Sequence, residues 1–73
     1  MNNYSNVGDN SNVTGYDFSD DWIAVQFQDG SIYRYSRESC GQHVIDEMIR
    51  LAESGSGLNS YISRYQPSYA SKG

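Results

Sequence analysis

The chain has one cysteine and no apolar run long enough to cross a membrane. A single thiol, Cys40, excludes an internal disulfide framework and fits a reducing compartment. A membrane span needs about 20 consecutive apolar residues, and the first residues lack the charged and apolar regions of a signal peptide. We therefore expect a cytoplasmic protein with no membrane partner.

Basic residues are also scarce. The sequence contains 5 Lys and Arg against 9 Asp and Glu, for a net charge of −4, and residues 1–33 contain aspartates but no basic residue. Nucleic-acid-binding proteins usually carry a basic surplus, so any surface for a phosphate backbone has to be local.

The residue types that catalytic and metal sites need are too few to assemble one. Cys40 and the only histidine, His43, lie three positions apart near a predicted helix start, where a thiol can become nucleophilic. Two such ligands do not make a zinc site, and no orienting partner for a catalytic dyad is visible. The aspartates lack the spacing of a calcium-binding EF-hand loop. We predict a protein that is not an enzyme and has no metal site or cofactor.

Both ends of the chain are polar, and the sequence predicts flexible tails at 1–10 and 66–73 around one domain at 11–65. A folded part of roughly 55 residues has a marginal core. Domains of this size are often stabilised by a partner or by self-association, so the sequence is compatible with a weak homo-oligomer.

A β-hairpin is the strongest local pattern. Residues 22–27 and 31–36 alternate between apolar and polar positions on either side of Asp29-Gly30. A two-residue turn would place Arg34 among the apolar side chains, whereas a three-residue loop with a bulge at Gly30 avoids this. The second register gives one apolar face, formed by Ile23, Val25, Phe27, Tyr33 and Tyr35. The other face then shows Trp22, Ala24, Gln26, Ile32 and Arg34.

Residues 13–18 predict a further edge strand, and two helices follow the hairpin. Ser39 and Gln42 have capping-box spacing at the start of the first helix, and Asp46 is placed to pair with Arg50. Its apolar residues recur at helical spacing: Val44, Ile45, Met48, Ile49 and Ala52. A second helix is expected at 59–65. The predicted fold is α+β, a three-stranded antiparallel β-meander followed by two helices packed on one face.

This order of residues resembles the KTSC domain, a small domain also found at the C-terminus of some bacterial lysyl-tRNA synthetases. The matching motifs run from about residue 11 to residue 65: Ser11-Asn12-Val13, Tyr16-Asp17, Ile23-x-Val25-x-Phe27-x-x-Gly30, Tyr33-Arg34-Tyr35, Ala52 with Ser54, Gly57-Leu58-Asn59 and Ile62-x-Arg64-Tyr65. The family usually has Val-Pro before the long helix and a tyrosine early in it, and residues 37–44 have neither. The resemblance implies at most an RNA-binding role.

Two kinds of binding surface are predicted. The first is a base-stacking and phosphate-binding surface for RNA or another single-stranded nucleic acid, formed by Tyr33, Arg34, Tyr35, Arg64 and Tyr65. Arg37 and Arg50 could add to its basic patch. The alternative for the tyrosines is that their rings point inward and pack over the core, which the preferred hairpin register favours. The second surface is for a protein partner or a second copy, through Trp22 and Ile32 or an exposed edge strand.

Overall fold

The computed structural model describes residues 1–5 and 12–73 and confirms the α+β prediction. Within these residues an antiparallel sheet has the strand order β1-β2-β3-β4-β5, with the three central strands forming the predicted meander. The strands are β1 (Asn2–Asn3), β2 (Val13–Ser19), β3 (Trp22–Phe27), β4 (Ile32–Ser36) and β5 (Ser71–Lys72), and the helices are α1 (Arg37–Cys40), α2 (Gln42–Ser54) and α3 (Leu58–Tyr65). Across the described ranges, no helix is long and apolar enough to cross a membrane.

The hairpin between β3 and β4 has the predicted bulged register. Ile23 pairs with Tyr35 and Val25 with Tyr33, and the Phe27 amide donates to the Ser31 carbonyl over 2.9 Å. Gly30 has φ 89°, which a residue without a side chain adopts without strain. The register therefore puts the apolar alternation of both strands on one face, as the sequence indicates.

The core lies between that face and the helices. It contains side chains from the sheet, from α2 and from the start of α3, namely Val13, Ile23, Val25, Tyr35, Ile45, Met48, Ala52 and Leu58, together with Tyr4 from the N-terminal segment. Burial of these apolar side chains is the main stabilising contribution to the fold.

The helical region begins earlier than predicted, and Ser39 is not the N-cap of the long helix. Ser36 caps the short α1, and its hydroxyl accepts from the Ser39 amide over 3.2 Å. Gly41, with φ 93°, then interrupts the helical conformation before α2 starts at Gln42. The expected pairing of Asp46 with Arg50 is also replaced, because Arg50 bonds to Glu47 one turn away and Asp46 accepts from Gln42.

The segments predicted as tails take part in the sheet. β1 pairs with β2 at one edge, and β5 pairs with β4 at the other. Tyr4 is only 6% exposed, and its hydroxyl accepts a hydrogen bond from the Leu58 amide. Residues 6–10 of the predicted N-terminal tail lie outside the described residues, and the flexibility of both ends stays a prediction.

Candidate ligand-binding cleft

The chain after α3 forms the wall of a cleft beside the hairpin. Gln66 adopts a left-handed conformation with φ 47°, which turns residues 67–73 back along β4. Ser39 Oγ donates to the Ser68 carbonyl over 2.7 Å, and Ala70 donates its amide to the Arg34 carbonyl over 2.7 Å. These bonds hold the returning segment next to the half-buried end of the apolar face.

The space between this segment and the hairpin, here called the C-terminal cleft, has a volume of about 650 Å³. Small-molecule sites typically occupy about 300–1,000 Å³. Its aromatic lining consists of Phe27, Tyr33, Tyr35 and Tyr69, and its polar lining includes Asp29 and Lys72.

Tyr33 is the central aromatic side chain of the cleft. Its ring packs edge-to-face on Phe27, with centroids 5.4 Å apart, and on Tyr69, with centroids 4.9 Å apart. Such edge-to-face contacts fix the orientation of the rings. Tyr35 is buried, whereas Tyr69 is 51% exposed.

Opposite charges border the cleft. Lys72 Nζ lies 5.2 Å from the centroid of the Tyr33 ring, and a hydrogen bond with the Tyr33 hydroxyl raises the pKa of the ammonium group. A hydrogen bond from the Ser31 amide lowers the pKa of Asp29. Burial raises the pKa of Tyr35 to about 12, so its phenol is neutral at physiological pH. The cleft therefore offers a cation, an anion and hydroxyl groups to a ligand.

The predicted nucleic-acid-binding residues occupy three surfaces. Tyr33 and Tyr35 line the cleft, but Arg34 lies on the opposite face of the sheet. Alternation along a strand separates neighbouring side chains in this way. Arg64 and Tyr65 lie on α3, where the Tyr65 ring packs 4.7 Å from Tyr61.

Three of the five Lys and Arg side chains form no salt bridge within the described residues, and each lies over an aromatic ring. Arg34 is 4.4 Å from the Trp22 ring centroid, Arg64 is 5.8 Å from that of Tyr65, and Lys72 lies over Tyr33. The other two arginines, Arg37 and Arg50, pair with Glu38 and Glu47. The predicted basic patch around the helices therefore contains one unpaired charge, that of Arg64.

Trp22 and Ile32, predicted for a protein partner, share the face of the sheet that the helices leave uncovered. Both side chains are half-buried. The Arg34 guanidinium covers part of the indole ring, which makes this surface both apolar and cationic.

Cys40 has the properties of a packed thiol. Its Sγ donates to the Ser36 carbonyl over 3.5 Å, and burial raises the pKa of the thiol. A reactive cysteine requires the opposite shift. No group of three or more metal-ligating side chains occurs among the residues that the structure describes.

Sequence reasoning missed the wall of the cleft. Tyr69 and Lys72 lie in the segment assigned to a tail, and their contacts are with residues more than 30 positions earlier. The one available signal is an aromatic residue followed by a lysine in an otherwise polar segment.

A comparison with protein-family models, with curated proteins and with solved structures finds no match to this chain. The features of this chain that bear on function are therefore the cleft and the aromatic–cation contacts.

Proposed function

We propose that the protein is a non-catalytic module that binds single-stranded nucleic acid, RNA in the first place, with one base in the C-terminal cleft. The observation that carries the proposal is the half-exposed ring of Tyr69 against Tyr33, beside the Lys72 ammonium group, which forms no salt bridge within the described residues. Aromatic rings stack on the faces of unpaired bases, and a neighbouring cation attracts the phosphate. The resemblance to the KTSC domain is in accord with this role and stays a prediction.

Charge sets the expected strength of binding. The molecule carries a net charge of −4, which opposes a polyanion at long range. Stacking contributes about 1–3 kcal/mol for each base. Each phosphate neutralised on a single strand contributes about −0.7 to the slope of log K against the logarithm of the salt concentration. We therefore expect weak binding with a slope close to that of one or two phosphates.

The test is a titration of a random-sequence RNA octamer into ¹⁵N-labelled protein at low and at physiological salt. We expect salt-sensitive shifts of the amides of Tyr33, Tyr69 and Lys72. Tyr69→Ala and Lys72→Gln should each weaken binding. Arg37→Gln, which changes the charge equally at a side chain already paired with Glu38, is the control. Absence of shifts at low salt would overturn the proposal.

The uncovered sheet face supports a second candidate function, docking of a protein partner or a second copy. Tryptophan and arginine are enriched among the residues that dominate protein interfaces, and Trp22 and Arg34 are stacked on each other here. In this case Trp22→Ala should reduce self-association in sedimentation equilibrium or abolish partner binding. Salt should affect this docking less than it affects RNA binding, because a protein partner has no condensed counterions to release.

A further inference from the structure

Asp29 places a carboxylate at a cleft that the proposed function assigns to a base and its phosphate. The side chain lines the cleft and belongs to the β3–β4 loop, which the sheet holds in place. Lys72 also lines the cleft and is close enough to lower the pKa of Asp29 electrostatically. A ligand in the cleft therefore meets an anion and a cation together.

The role of Asp29 in the turn uses only part of the acceptor capacity of its carboxylate, which has about four lone-pair sites. Oδ1 accepts from the Ser31 amide over 2.9 Å, and an asparagine could accept the same bond. Asp29 is exposed, and no basic side chain of the described chain lies within salt-bridge distance of it. Besides the bonds from the Ser31 amide and side chain, the exposed carboxylate therefore still has lone pairs that can accept a hydrogen bond from a ligand.

A carboxylate distinguishes bases by the groups on their edges. Cytosine and adenine present an exocyclic amino group that donates to it, as in the pairing of aspartate with the cytosine amino group. Uracil has no amino group, and its single N–H lies between two carbonyl oxygens. A carboxylate approaching that edge meets like partial charges and has no equivalent donor.

We propose that the C-terminal cleft selects a base with an exocyclic amino group over uracil, with Asp29 accepting from the amino group and Lys72 holding the phosphate. The proposal rests on the proposed nucleic-acid function and adds a ligand class to it. The two cleft charges then have separate tasks, since Lys72 binds a group that all nucleotides share and Asp29 binds a group that only some have.

The experiment compares oligocytidine and oligouridine octamers, which have the same number of phosphates, in fluorescence anisotropy at low salt and neutral pH. We expect the unmodified protein to bind oligocytidine about five- to tenfold more tightly, the lower end for one base contact. Asp29→Asn keeps an acceptor for Ser31 and should remove most of this preference. Asp20→Asn has the same charge change in the turn between β2 and β3 and should keep it.

The outcomes separate the two proposals. Equal binding of both octamers by the unmodified protein overturns the selection by Asp29 and leaves the nucleic-acid function intact. Absence of binding to either octamer overturns both. An unchanged preference in Asp29→Asn overturns the role of the carboxylate, provided that the amide spectrum shows the hairpin signals in place. The shift of the Ser31 amide on addition of cytidine monophosphate, against uridine monophosphate, locates the contact.

Discussion

Tyr4 caps a helix from the far end of the chain, and its removal has a calculable cost. α3 begins after Gly57, which has no side chain to accept a hydrogen bond from the first amides of the helix. The Tyr4 hydroxyl lies 3.2 Å from the buried Leu58 amide and accepts this bond. Helix N-termini need such partners because their first amides have none within the helix.

Tyr4→Phe keeps the ring and removes the acceptor. A buried donor left without a partner costs about 1–3 kcal/mol. Tyr4→Ala also leaves a cavity, and loss of a buried aromatic ring costs about 3–5 kcal/mol. A chain of this length is expected to have a free energy of unfolding of about 4–11 kcal/mol. Tyr4→Phe should therefore remain folded, whereas Tyr4→Ala should lose a large part of its stability.

The assay is urea unfolding, combined with hydrogen exchange of the Leu58 amide. Tyr65→Phe is the matched control, because the Tyr65 side chain is 61% exposed. It should change stability by less than about 0.5 kcal/mol. Equal midpoints for Tyr4→Phe and Tyr65→Phe, with unchanged protection of the Leu58 amide, would refute the capping role.

Three further predictions concern the hairpin and the helix start. The pKa of Tyr35 is about 12 in the folded protein, against 10.0 for an ordinary tyrosine. The contribution of this difference to the free energy of unfolding is therefore fully present below pH 10 and is lost as the pH rises toward 12. Tyr35→Phe should make the urea midpoint of unfolding depend less on pH across that window. Gly41→Ala should cost about 1–3 kcal/mol, because φ 93° with ψ 147° is nearly restricted to glycine, while Gly73→Ala, without a positive φ, should cost little by thermal unfolding. Cys40 should react with iodoacetamide more slowly than a free thiol at pH 8, and urea should abolish the difference.

The local parts of the fold were predictable because their information is local. The hairpin register follows from the alternation of apolar residues and from Gly30, and α3 follows from spacing over a few residues. The start of the helical region was not, since Ser36 and Ser39 are equally good caps by residue type. The position of Gly41 decides between them only once the backbone is known.

The candidate site was predictable only in part. Alternation placed Tyr33 and Tyr35 on one face and Arg34 on the other, and the structure has them so. The cleft itself depends on a segment that returns to β4 after a left-handed residue at Gln66, and neither composition nor periodicity contains that long-range contact. The hydrogen bond from the Leu58 amide to the Tyr4 hydroxyl was hidden for the same reason.

The pairing of β5 with β4 also bears on aggregation. The Ile32 amide and carbonyl both bond to Gly73, and the Arg34 carbonyl bonds to Ala70. Without residues 66–73, these groups of β4 would form an open edge beside Ile32, Tyr33 and Tyr35, and open apolar edges template intermolecular β-structure. A chain shortened to residue 65 should therefore form thioflavin-positive assemblies under conditions in which the full chain stays dispersed. The segment that forms the wall of the cleft therefore also protects the sheet against fibril growth.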